Sequence, residues 1–465
     1  MKKMNKTEAE ALKFEFKHIS ELYPEGSSEA ESFCEDYKTF LNCSKTEREC
    51  VRYTVSLAEA EGYRAFDPAG SYKPGDRVFY VNRGKMVILV TFGKKELEEG
   101  IRFNIAHIDS PRLDLKPYPL YEKDELAYFK THYYGGIRKY QWATIPLSMH
   151  GRVMLKDGSS VDIALGEKDG DPKFVISDLL PHLSAEQDKR SLKEGIKGEE
   201  LNIIIGSLPF QDEEAKDIKE AYKLMALSVL NEMYGITEAD FMRAEIEMVP
   251  AAKATDIGLD RSLIGAYGQD DRVCAYTALR AAFGVKEPEY TYVTVLTDKE
   301  EIGSQGNTGM ASNALQDFIE DLCEICGAKP RNVYRHSLCL SSDVNAAYDP
   351  TFPNVFERQN SSFLNHGPVL TKYTGSRGKS GSNDASAETM QKVIKYMDDN
   401  NVAWQIGELG KVDEGGGGTI ALFMGKLDVD TVDLGVPVLA MHSPFEITSK
   451  LDVYYTYKAF CAFAE

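Results

Sequence analysis

The chain has 465 residues, 43% of them hydrophobic and 27% charged, with a formal net charge of −19. That length is more than one compact core usually holds, so at least two domains are expected, and the composition is that of a folded globular chain rather than a disordered one. The acidic balance disfavours nucleic acid and anionic membrane as partners, because phosphate binding needs clustered Lys and Arg. No apolar run approaches the roughly 20 residues of a membrane helix, and no apolar core follows Lys2 and Lys3 as it would in a signal peptide.

A cytoplasmic location is therefore expected, and the cysteines agree with it. Eight are scattered along the chain, as in proteins of reducing compartments. Cys323 and Cys326 share an apparent amphipathic helix with Leu315, Phe318, Ile319 and Leu322, and read as packing residues.

The first 65 or so residues have helical patterning, with Ser28-Glu29-Ala30-Glu31 as an N-terminal signature. Three apolar runs follow: Val78 to Val81, Met86 to Val90 and Phe103 to Ala106. Continuous aliphatic runs of this length predict strands buried on both faces. Residues 116–244 differ in texture. Short strand-like pieces, Arg152 to Leu155 and Leu201 to Ile205, flank a charged loop from Glu186 to Glu200, and a helix is predicted from about Asp212 to Met233.

After Glu245 strands and helices alternate again. Strands are predicted over Tyr290 to Leu296, Ser337 to Leu340 and Pro437 to Met441. Helices are predicted over Asp271 to Phe283, Met310 to Cys326, Asp384 to Asp399 and Ser449 to Phe463. This alternation implies an α/β sandwich with a largely parallel or mixed sheet, interrupted by an insertion. The divisions are residues 1–115 and 245–465 for the main domain, and 116–244 for the insertion.

Polar clusters stand where such sheets bind ligands, just past strand ends or at helix starts. His107 closes an apolar run, and Asp109, two residues on, points to the same side of an extended segment. It is placed to accept the second ring N–H of His107; a plain surface turn would use the same residues. Asp270 and Asp271 open a helix after Gly268, where they would bridge two cations or merely cap the helix. Glu300 and Glu301 lie in the segment Thr297 to Ser304, which directly follows a strongly apolar strand, a costly arrangement for structure alone. Glu301 is a candidate ligand, and Glu300 a candidate base that takes the proton of an attacking water. Asp343 and His442 sit in the same way after two further strands. Together His107, Asp270, Glu301, Asp343 and His442 provide one histidine and one terminal carboxylate per metal, plus a shared carboxylate. Nitrogen and oxygen donors without thiolate suit zinc, and also cobalt or manganese.

At these residues the sequence resembles the M18 family of metallo-aminopeptidases, the aspartyl aminopeptidase group. The matching blocks are His107-Ile108-Asp109-Ser110-Pro111, Asp270-Asp271-Arg272, Asp298 to Ser304, Ser342-Asp343 and Leu439 to Ser443. The resemblance implies a zinc-exopeptidase α/β/α sandwich with an inserted, mainly β dimerisation domain. It implies two zinc ions per subunit on those five ligands, Asp270 bridging, Glu300 as general base and Asp109 as orienting residue. It implies peptide substrates, and dimers assembled into a tetrahedral homododecamer.

Ile145 to His150 is similar to the segment that sends a histidine into a neighbouring subunit, which would make His150 a substrate-binding residue in trans. A preference for acidic N-termini would rest on Lys372, with Arg377 and Lys379 as competitors, because the segment 367–379 departs from the family pattern. Glu414 to Thr419 is richer in glycine than the corresponding family block; Gly417 and Gly418 would offer amides to substrate or oxyanion. The rival readings are a related dinuclear-zinc carboxypeptidase or deacylase, and a non-catalytic assembly protein that keeps the fold. A nucleotide-binding reading has little support, since no Gly-x-Gly-x-x-Gly follows an early strand.

Overall fold

The structure is a computed structural model that describes residues 4–22, 27–211 and 219–464. Its centre is a nine-stranded mixed sheet. Four neighbouring strands run parallel in the middle, in the order Thr291–Thr297, Ile101–His107, Leu338–Ser341 and Asp430–Gly435. All their carboxyl ends therefore open on one edge. The antiparallel hairpin Arg77–Asn82 and Met86–Thr91 extends one side, and Val369–Thr371 with Gln405–Ile406 extends the other.

Helices cover both faces. In the strand Met86–Thr91 every residue is buried, and successive side chains enter opposite cores. Val87 and Leu89 pack with Phe40, Val51 and Val273, whereas Ile88 and Val90 pack with Phe318, Ile319 and Val333. Each such side chain contributes roughly 1.5–3 kcal/mol on burial. This is the predicted three-layer sandwich, and it explains why the apolar runs lack polar alternation. The predicted helices occur as Gln269–Gly284, Ala314–Cys326, Ala387–Asp399 and Lys450–Ala464. Cys323 packs in the core as expected, whereas Cys326, expected to pack beside it, is exposed.

A seven-stranded antiparallel sheet stands apart, built from residues 112 to 250. It has its own core, including Leu113, Phe129, Trp142, Met149 and Ile246. Its two longest strands, Arg112–Lys123 and Leu126–Tyr134, escaped the sequence reading. Pro117 and Pro119 sit inside the first, where the register with its partner shifts between Leu115 and Leu120. A bulge tolerates the missing amide donors. The predicted helix from about Asp212 begins at Ala221 and ends at Tyr234; residues 212–218 of that prediction lie outside the described residues.

A five-stranded sheet completes the molecule: Thr255–Ile257, Leu263–Ala266, Glu446–Ser449, Pro437–Leu439 and Asn345–Ala346. It lies against the carboxyl edge of the central sheet, through connections that pass by Asp270, Asp343 and His442.

Candidate metal centre

Each predicted ligand leaves a different element. His107 is the last residue of Ile101–His107. Glu300 and Glu301 form a single 3-10 turn after Thr291–Thr297, entered through Lys299 at φ +69°. Asp343 follows Leu338–Ser341. Asp270 leads into the helix Gln269–Gly284 with extended backbone, φ −82° and ψ 109°, and caps nothing. His442, at φ +63°, follows Pro437–Leu439. A positive φ in a residue with a Cβ is sparsely populated and persists where surrounding structure enforces it.

These side chains converge. His107 Nε2 lies 3.2 Å from Asp270 Oδ1 and 3.8 Å from Asp343 Oδ1. His442 Nε2 lies 3.1 Å from Asp270 Oδ2 and 3.5 Å from Glu301 Oε1. Two ligand triads share Asp270, His107–Asp270–Asp343 and Asp270–Glu301–His442, and a third group, His107–Glu300–Glu301, adjoins them, each with donor atoms within 4.8 Å of one another. Asp270 belongs to both, one oxygen toward each histidine. Glu300 Oε2 lies 3.9 Å from His107 Nε2, beside the pair.

The histidines are set to present Nε2. His107 Nδ1 donates to the Asp109 carbonyl oxygen at 3.0 Å, with the Asp109 carboxylate 3.3 Å away, and His442 Nδ1 donates to the Gly136 carbonyl at 2.8 Å. Donation at Nδ1 leaves the Nε2 lone pair facing carboxylate oxygens. Asp109 also accepts the backbone amides of Glu300 and Glu301, at 3.1 and 3.2 Å, so this one buried residue holds the histidine through its carbonyl and the double-glutamate turn through its carboxylate. Glu446 does the equivalent on the other side, accepting the amides of His442 at 2.7 Å and Asp270 at 3.0 Å.

The electrostatics call for cations. Burial pushes Glu300 up to about 8, against the pull of His107. Burial, with Asp270 adding to it, drives Glu301 well above the usual carboxylate range. Burial opposes a charge on His442, yet Asp270 and Glu301 raise it to about 11. A field that holds protons so tightly holds metal ions in their place. Asp270 Oδ1 and Glu301 Oε1 are buried without a hydrogen-bond partner. Unpaired buried carboxylate oxygens are costly, and a cation shared with imidazole nitrogen removes the cost. The donor set therefore fits two divalent ions of the zinc type.

A cleft of about 230 Å³ opens beside the triads. Asp270, Glu300, Asp343 and His442 line it with Gly417, Gly418, Thr371, Thr374, Leu409 and Met441. The glycine tract is needed mainly upstream of the predicted pair. Gly416 has φ +106° and a Cβ there would come 2.6 Å from Ser376 Cα, whereas Gly417 and Gly418 have room for one.

Lys372 is absent from the lining and is paired with Asp384, as is Lys379. His150 does not join the cluster. It is 2% exposed, with Nδ1 2.8 Å from Glu49 and Nε2 near Ser148 and Glu167 of its own chain. Tyr134, Gly136 and Glu446, all in contact with the cluster, were not singled out from sequence.

Residues 40–464 match the family described as aminopeptidase I zinc metalloprotease (M18). A probable M18 family aminopeptidase 1 of Clostridium acetobutylicum is 46% identical over 459 residues, covering 97% of this chain and 96% of that protein. The crystal structure of an M18-family aminopeptidase from Thermotoga maritima superposes with a TM-score of 0.92 at 44% identity, covering 97% of this chain and all of that one. The S. cerevisiae mApe1 dodecamer, 21% identical with a TM-score of 0.74, shares the fold. The chain thus belongs to the M18 family and is a zinc metallo-aminopeptidase.

Proposed function

We propose that the chain releases N-terminal residues from peptides at a dinuclear centre. His107 and Asp343 would hold one cation, Glu301 and His442 the other, and Asp270 both. The observation that carries this reading is the sharing of Asp270 by two ligand triads. Zinc is the expected metal, with cobalt or manganese as substitutes. When bound, the pair supplies Lewis-acid polarisation of the scissile carbonyl and lowers the pKa of water.

Glu300 would take the proton of the attacking water and return it to the leaving amine. With cations in place, its pKa would fall back from the metal-free value, giving the ionised base this role needs. Asp109 would keep Glu300 and His107 in place. The Gly417 amide already donates to the Thr374 carbonyl, so the task of binding the carbonyl oxygen falls to Gly418.

A neutral first residue fits the cleft better than an acidic one. The lining contains Asp433 and no Lys or Arg, and Lys372 is engaged elsewhere. The same lack disfavours the carboxypeptidase or deacylase reading, which needs a cation for a substrate carboxylate. His150 would have to leave Glu49 and Glu167 to serve a neighbouring subunit, so no substrate role rests on it here.

The insertion, residues 116–244, is proposed to build the dimer and the dodecamer, with residues 1–115 and 245–465 forming the catalytic domain. In support, Leu179, Leu180, Leu183 and Leu208 of the insertion are each at least half exposed, an apolar surface of the kind that assembly covers. A cytoplasmic location remains the expectation; among the described residues no helix is long and apolar enough to cross a membrane.

The test is an assay of an aminoacyl chromogenic substrate beside an acylated amino acid, with defined metals. Zinc-dependent cleavage of the first alone supports the reading. Cleavage of only the acylated compound would refute it.

A further inference from the structure

We infer that Tyr134, which enters from the seven-stranded sheet, is a positioning residue of the metal centre, acting through Asp109. The inference rests on the dinuclear reading above. Tyr134 ends the strand Leu126–Tyr134, and its hydroxyl donates to Asp109 Oδ2 at 2.8 Å. The same oxygen accepts the Glu301 amide at 3.2 Å. The other, Oδ1, accepts the Glu300 amide at 3.1 Å and lies 3.3 Å from His107 Nδ1.

A carboxylate held only by two amides of a short turn can tilt with that turn. A third donor, fixed to a different sheet, sets its plane. Asp109 then carries that plane through the two backbone amides to Glu301 of one triad and to the base, while its Oδ1 lies against the ring of His107, a ligand of the other. Tyr134 is itself held. The Arg112 guanidinium stacks 3.9 Å from the ring centroid, and Arg112 is tied to Asp114 at 2.8 Å and Glu247 at 3.2 Å.

The next two residues continue the hold. Gly136 accepts His442 Nδ1 at 2.8 Å. Gly135, at φ +72°, runs so close to Glu301 that a Cβ would fall 3.0 Å from its Oε2. Residues 134–136 therefore brace both halves of the centre from outside the sheet that carries most of its ligands. Partners behind metal-bound histidines commonly change metal affinity by about 10–100-fold when removed.

The test uses Tyr134→Phe, which keeps the ring on Arg112 and removes only the hydroxyl. Zinc affinity of the metal-free protein is measured by chelator competition, and kcat and KM with a neutral aminoacyl substrate, for wild type, Tyr134→Phe, Asp109→Ala and the double variant. The expected result for Tyr134→Phe is zinc binding weakened about tenfold and kcat lowered about tenfold, with KM within about twofold. In the Asp109→Ala background the hydroxyl should no longer matter to zinc affinity. Tyr134→Phe with zinc affinity and kcat within twofold of wild type would overturn the inference. An equal loss of zinc affinity with and without Asp109 would overturn the route through Asp109. A wild-type protein that binds no zinc would instead overturn the dinuclear reading itself, a result distinct from a silent Tyr134→Phe in a zinc-binding protein.

Discussion

Among the described residues, two acidic clusters bring three or more carboxylate or imidazole groups within reach of a single cation, and they solve the problem differently. Glu31, Glu35 and Asp256 meet the geometric condition, but the protein supplies the positive charge. Lys38 and Lys450 lie 2.6 and 3.0 Å from Asp256 Oδ1, and Arg261 lies 2.6 Å from its other oxygen. Asp270, Glu301 and Asp343 have no Lys or Arg among the described residues paired with them. Their neighbours are two imidazoles whose Nδ1 atoms are committed to backbone carbonyls. Proximity of carboxylates is thus a poor sign of a metal site. A deficit of protein cations, combined with orphaned oxygens, is a better one.

The largest effect is expected at Asp270. Asp270→Asn removes a charge shared by both triads, and peptidase activity should fall by at least about 10³-fold, as it should on chelation, with zinc restoring only the wild type. Residual activity above a tenth of wild type in Asp270→Asn would argue against sharing. Glu300→Gln comes next. Turnover should drop by about 10²–10⁴-fold with metal content unchanged, as read by steady-state kinetics beside elemental analysis.

A substrate panel reads the charge of the cleft. Neutral N-terminal residues should exceed Asp and Glu by at least about tenfold in kcat/KM, because an unpaired carboxylate in the cleft is penalised. Lys372→Ala should change that ratio less than about threefold.

The smallest effect belongs to the self-neutralised cluster. Asp256→Asn should leave zinc content and activity intact and cost about 1–3 kcal/mol of stability. Its Lys and Arg partners hold Asp256 below the usual carboxylate range, outweighing burial. Its contribution is therefore full above the unfolded-state pKa of about 3.9 and is lost as pH falls below that value. Denaturation of the two proteins should accordingly differ at pH 7 and converge in acid.

The sequence announced the central sheet because strands covered on both faces are written as unbroken apolar runs, and a carboxylate or histidine just past such a run has few structural excuses. That logic singled out His107, Glu301 and Asp343, and His442 after a strand of the five-stranded sheet, with Asp270 by its helix start, and the structure brings these five side chains together. It failed where contact runs through the backbone or across sheets. Gly136 contributes a carbonyl, which any residue carries. Tyr134 lies in a strand whose partner is interrupted by two prolines. Glu446 lies in the short strand Glu446–Ser449 and works by accepting amides, a role that spacing does not mark. Lys372 stands one residue past the strand Val369–Thr371, and its ammonium is paired with Asp384 rather than lining the cleft, a partner that spacing does not announce.

Two cations sharing Asp270 are the core of the proposed centre, and zinc titration of the metal-free protein counts them. Wild type should bind two equivalents per chain with affinities that Asp270→Asn weakens at both sites, while Asp256→Asn matches wild type. Binding of a single equivalent, or an Asp270→Asn protein that retains two tight sites, would contradict it.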